Sequence, residues 1–115
     1  MTEAQDYDIA MRVAAAEYEK VTSALRSYGY HASVTQTGGM CLAIEITLPN
    51  NHHVLVTDHC DPLPWSRDEQ EGWAVGIYPD NGGDATSLWL CETDTSIELL
   101  LEGLRHVLPS RDQLT

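Results

Sequence analysis

The chain has 115 residues, 43% of them hydrophobic and 21% charged, which fits a single folded domain of one sheet with covering helices and not a disordered segment. Eighteen acids stand against six bases, a formal charge of −12. Such a surface repels phosphate backbones and anionic lipid, so neither direct nucleic-acid binding nor a membrane is expected as partner, and a basic protein is favoured.

No run of apolar residues is long enough to span a bilayer, and no basic segment with a following apolar core marks a signal peptide. The cysteines, Cys41, Cys60 and Cys91, are odd in number and lack C-x-x-C spacing, so neither a disulfide framework nor a zinc knuckle is expected. The expected compartment is the reducing cytoplasm. One lysine against five arginines and the absence of phenylalanine fit a GC-rich coding sequence of bacterial or phage origin.

From Tyr7 to Tyr28 the larger apolar residues Tyr7, Met11, Ala14, Tyr18, Val21, Leu25 and Tyr28 recur in steps of four and three, the stripe of one amphipathic helix. Gly29 stands where a C-terminal glycine ends it. The following run "YHASVTQT" and then "MCLAIEITL" alternate as half-buried strands, with Tyr30, Ala32 and Val34 on one and Met40, Leu42, Ile44, Ile46 and Leu48 on the other. A two-residue Gly38-Gly39 turn would set these apolar sets on opposite faces. A three-residue turn from Thr37 to Gly39 pairs Val34 with Leu42 and Ala32 with Ile44, builds one apolar face, and is the expected register. Gly39 then supplies the left-handed backbone such a turn needs.

Pro49-Asn50-Asn51 leads into a third strand, "HHVLVTDH". If it is a three-residue loop, Val54 pairs with Ile46 and Val56 with Ile44; if the loop has two residues, the faces reverse, and both registers remain open. The segment "DPLPWSRDEQEG" is a loop with at most one helical turn. "WAVGIY" and "TSLWLC" are two more strands separated by the turn signal "PDNGGD". Asp94 or Thr95 caps a last helix, Thr95 and Glu98 forming a capping box, with Ile97, Leu100, Leu101, Leu104 and Val107 as its apolar face. Pro109 stops it, leaving 109–115 as a loose tail. The expected fold is a single α+β two-layer domain over 1–115: N-terminal helix, five-stranded mostly antiparallel sheet, C-terminal helix. This layout of helix, three strands, acidic linker, two strands and helix resembles that of small acidic secretion chaperones. The resemblance, one of topology only, implies a homodimer and no particular site residues.

The stretch "NHHVLVTDHCDP", residues 51–62, carries the residue types of a metal or catalytic site. Neighbours on a strand point to opposite faces, so His52 and His53 cannot share an ion, and His53 and His59 lie about 20 Å apart at ~3.3 Å per residue. Two ligands at the bend around Asp58 to Asp61 would need two more from elsewhere. No metal and no cofactor are expected. The three-residue register would place His59 across from Cys41, the minimum pair for an activated thiolate. No hydrolase, kinase, Walker or dinucleotide motif accompanies it, so a non-catalytic protein is expected, with Cys41 and His59 as a speculative reactive pair.

In "TSLWLC" the pair Leu88 and Leu90 reads as directed toward the helices, which leaves Trp89 on the outward sheet face near Ala43 and Leu55. An outward tryptophan is a candidate contact residue; the alternative is that Trp65 folds over it and closes a second small core. The acids are spread over both helices and three loops. Three functions follow in order: a small acidic module docking a protein partner, or itself, through a sheet face around Trp89, Leu55, Ala43 and Trp65; an inhibitor imitating nucleic acid; and a small Cys/His enzyme.

Overall fold

A computed structural model describes residues 3–38, 41–49, 51–59 and 61–108. Helices α1 (Glu3–Glu17) and α2 (Glu19–Ser27) precede strands β1 (His31–Gly38), β2 (Cys41–Thr47) and β3 (His52–Thr57), a short 3₁₀ turn at Arg67–Glu69, strands β4 (Trp73–Pro79) and β5 (Ser87–Cys91), and helix α3 (Ile97–Val107). The sheet is an antiparallel meander in the order β1-β2-β3-β4-β5. The α+β class, with helices at the two ends of the chain and five strands between, is the one the sequence implies.

The first helix is two helices. Regular geometry breaks at Tyr18 (φ −103°, ψ 15°), although the bonds Tyr18 N–H to Ala14 O (3.2 Å) and Thr22 N–H to Tyr18 O (2.9 Å) carry the chain across. Tyr18 is fully buried and its hydroxyl donates to the Pro64 carbonyl at 2.6 Å, so the break sits at the side chain that ties the helices to the β3–β4 connection. Ala14, Tyr18, Val21 and Leu25 form the buried stripe. Tyr28, counted with that stripe in the sequence, is 48% exposed. Tyr30 N–H bonds to Leu25 O and Gly29 N–H to Arg26 O, with Gly29 at φ 94°, the paired closure that a left-handed residue after a helix allows.

The β1–β2 register keeps the expected faces but is displaced by two residues: Val34 lies opposite Ile44 and Ala32 opposite Ile46, while Leu42 faces Gln36. β1 runs on to Gly38, paired with Cys41, and a bulge between Gln36 and Gly38 inserts one residue. A two-residue reversal alone would invert the faces; the bulge restores them. Gly39, to which the left-handed turn was assigned, lies outside the described residues. At the next turn the three-residue alternative holds, with Ile46 opposite Val54 and Ile44 opposite Val56, and Asn51 takes the positive φ of 62°.

The core fills the space between one sheet face and the helices: Leu42, Ile44, Ile46, Val54, Val56, Trp73 and Val75 against Tyr18, Val21, Leu25, Leu100 and Leu104. Burial of this set is the principal stabilising term. The cap of α3 lies one residue beyond the expected Thr95. Ser96 Oγ accepts from Leu99 N–H, and Asp94 Oδ1 accepts from Ser96 N–H at 2.7 Å. The Thr95 carbonyl instead accepts from the Arg67 guanidinium at 2.7 Å.

Candidate functional site

Because all the helices pack on one face, the other face of the sheet is built only from strand residues. Alternation places Ser33 and Thr35 of β1, Ala43 and Glu45 of β2, His53, Leu55 and Thr57 of β3, Ala74, Gly76 and Tyr78 of β4, and Leu88 and Leu90 of β5 there. Its β1 end is polar and its β4–β5 end is apolar. Leu88 and Leu90 are 57% and 51% exposed, while Ala43 and Ala74 are buried.

β5 therefore faces the opposite way from the sequence reading. Val75 is a core residue, and its direct partner Trp89 shares its face; Leu88 and Leu90 point away from the helices. The ring of Trp89 fits against Gly103 of α3, where an added Cβ would come within 2.3 Å of Cε3, and it stacks on His106 at 6.3 Å between centroids. The alternation of "TSLWLC" reveals two faces without saying which is inner. A glycine in mid-helix, unfavourable by ~1 kcal/mol against alanine, was the available sign that a large side chain comes in from below.

Trp65 is half-buried and packs against the core cluster, so it too belongs to the helix side. Of the four expected contact residues, Ala43 and Leu55 lie on the open face, and Trp89 and Trp65 do not. Leu55, half-buried, sits between Glu45 and Gly76. At Gly76 an added Cβ would meet the Tyr78 ring at 3.0 Å and Leu88 at 3.3 Å, so both side chains lean over the glycine. The His53 ring stacks on Tyr78 at 6.0 Å, and its Nδ1 lies 2.7 Å from Asp80 Oδ1. Sequence reading directed Leu88 and Leu90 toward the helices and did not single out Tyr78; their positions follow from the β3–β4 and β4–β5 registers.

The straight continuation of β3 that would carry His59 toward Cys41 is not followed. β3 ends at Thr57, and Leu42 is bridged by Leu63, whose N–H donates to the Leu42 carbonyl at 2.9 Å. Asp58 turns the chain: buried, it accepts from the backbone N–H groups of His59 and Gly72, both at 2.8 Å, and of Glu71 at 3.1 Å. His59 Nε2 lies 3.3 Å from Glu71 Oε2. Cys41 and Cys91 are half-buried, and Cys60 lies outside the described residues. Among the described residues no three His, Cys, Asp or Glu side chains are grouped to hold a metal ion. A depression of about 420 Å³ at the β1 end is lined by Arg26, Tyr30, His31 and Thr47, with Arg26 Nε engaged by the Ala32 carbonyl at 3.0 Å.

Comparison of the chain with protein families, curated proteins and solved structures finds no match. No helix among the described residues is long and apolar enough to cross a membrane.

Proposed function

We propose that the chain is a small non-catalytic binding module that docks a basic protein partner through the open face of its sheet, at the β4–β5 end. The observation that carries this reading is the pair Leu88 and Leu90, more than half exposed on neighbouring outward positions and continuous with Tyr78, Gly76 and Leu55. Apolar side chains gathered at one border of an uncovered sheet are costly to leave in water and are the usual centre of a contact. The formal charge of −12 favours a partner whose surface around that contact is basic, by steering and by complementarity.

The test is affinity capture from the source cell with wild-type protein and with Leu88→Asp/Leu90→Asp protein of equal thermal stability. A specific partner held by the first and lost by the second supports the reading. Equal capture by both removes it.

A further inference from the structure

The same border of the sheet points to how a partner is held. β5 is the last strand in the order, so the outward-pointing N–H and C=O groups along its free side have no strand among the described residues to bond. Natural edge strands are commonly blunted by proline, lysine or an inward charge. Ser87–Cys91 contains no proline and no charged residue. The other border strand, β1, presents His31, Ser33 and Thr35 on the open face and offers no comparable apolar pair.

Acids stand at both ends of this uncharged strand: Asp84 before it, Glu92 and Asp94 after it, all exposed. They decide against a second copy as occupant. A two-fold dimer would pair β5 antiparallel with itself. Setting Leu88 beside Leu90 or beside Leu88 of the other copy brings the segment before β5, with Asp84, toward the segment after it, with Glu92 and Asp94; setting Leu90 beside Leu90 carries Leu88 past the end of the partner strand, toward Glu92. Each register gathers like charges at the ends of the pairing or wastes a leucine, and gathered like charges oppose association.

We infer that β5 is the acceptor edge for an extended segment of another protein, added antiparallel as a sixth strand, with two alternate apolar residues beside Leu88 and Leu90 and lysine or arginine at both ends. Backbone bonds to β5 hold the segment, the two leucines read its alternate side chains, and the flanking acids read its ends. The inference rests on the proposed docking at the β4–β5 end and specifies its geometry and ligand.

The probe is a pool of capped peptides of about ten residues, with Val, Ile, Tyr or Phe at two alternate central positions, Lys and Arg at both ends and Thr elsewhere. With intact protein, binding should slow amide exchange along Ser87–Cys91. It should weaken about tenfold between ~50 and ~300 mM salt. N-methylation of alternate peptide nitrogens should abolish it, and Asp84→Asn/Glu92→Gln/Asp94→Asn should weaken it severalfold. A peptide that binds without protecting β5, or that tolerates N-methylation, overturns edge pairing. A dimer held through β5, strengthened by salt in sedimentation, overturns the choice of occupant. If no peptide binds while capture of the partner still depends on Leu88 and Leu90, edge pairing falls and face docking stands; if capture ignores both leucines, the docking reading itself falls.

Discussion

The indole of Trp89 lies where the side chain of residue 103 would be: a Cβ on Gly103 would stand 2.3 Å from Cε3 and 2.5 Å from Cζ3 of that ring. This contact sets how closely α3 approaches β5, and it holds Trp89 on the helix side of the sheet. Gly103→Ala improves helix propensity by ~1 kcal/mol but must displace a ring stacked on His106. The expected outcome is a net loss of about 2 kcal/mol in urea unfolding. Trp89→Leu should cost stability by itself and should absorb most of the Gly103→Ala penalty in the double variant. Additive losses would show that the two residues do not share this space.

Tyr18 predicts an alkaline limit to stability. Burial, the largest influence, raises its hydroxyl well above the ordinary value of about 10, against the lowering effect of nearby Arg67. The folded state thus keeps a proton that the unfolded chain releases. The stabilisation is fully present below pH ~10 and is lost as pH rises above it. Tyr18→Phe should remove this slope and cost about 1 kcal/mol at neutral pH through the lost bond to Pro64. Melting curves of both proteins between pH 8 and pH 11 decide it; a shared alkaline slope would assign the effect elsewhere.

Periodicity made the elements legible because burial imposes it: the even positions of β2, the stripe from Ala14 to Leu25 and the Leu100–Leu104–Val107 face all lie in the core. What stayed hidden depends on single residues acting between elements. A bulge near Thr37 moved a register by two residues. A hydroxyl reaching Pro64 coincides with the break in the first helix. The β4–β5 register decided whether one tryptophan or two leucines faced the helices. That last choice relocates the candidate site from Trp89 to Leu88, Leu90 and Tyr78, while Leu55 and Ala43 remain on the same face.

Asp58 should matter to folding more than its place in a histidine-rich stretch suggests. Its carboxylate holds three backbone N–H groups and joins the exit of β3 to the entry of β4. Asp58→Ala leaves these donors without the acceptor, two of the bonds being to buried or half-buried groups, and should cost about 3 kcal/mol or more. His59→Ala, which loses a 3.3 Å contact to an exposed glutamate and the packing of a ring only 20% exposed but also removes a buried Nδ1 that makes no hydrogen bond, should cost less than Asp58→Ala. Chemical denaturation of the two variants checks the order, and a larger loss at His59 would contradict it.

The final prediction separates a docking face from a structural one, and docking from imitation of nucleic acid. Leu88 and Leu90 are half in water already, so Leu88→Ser and Leu90→Ser should each change folding stability by less than ~1 kcal/mol, whereas Leu100→Ala in the core should lose 2 kcal/mol or more, on the order of other buried leucines. Partner binding should show the reverse ranking, with the two surface variants losing about tenfold or more in affinity. A nucleic-acid mimic would act through many dispersed carboxylates; its complex would ignore both leucines and be displaced by duplex DNA or RNA. Isothermal titration of the captured partner with each variant, repeated with duplex DNA present, distinguishes them. Retained affinity in the leucine variants together with displacement by DNA would replace the docking face with the acidic surface as the functional element.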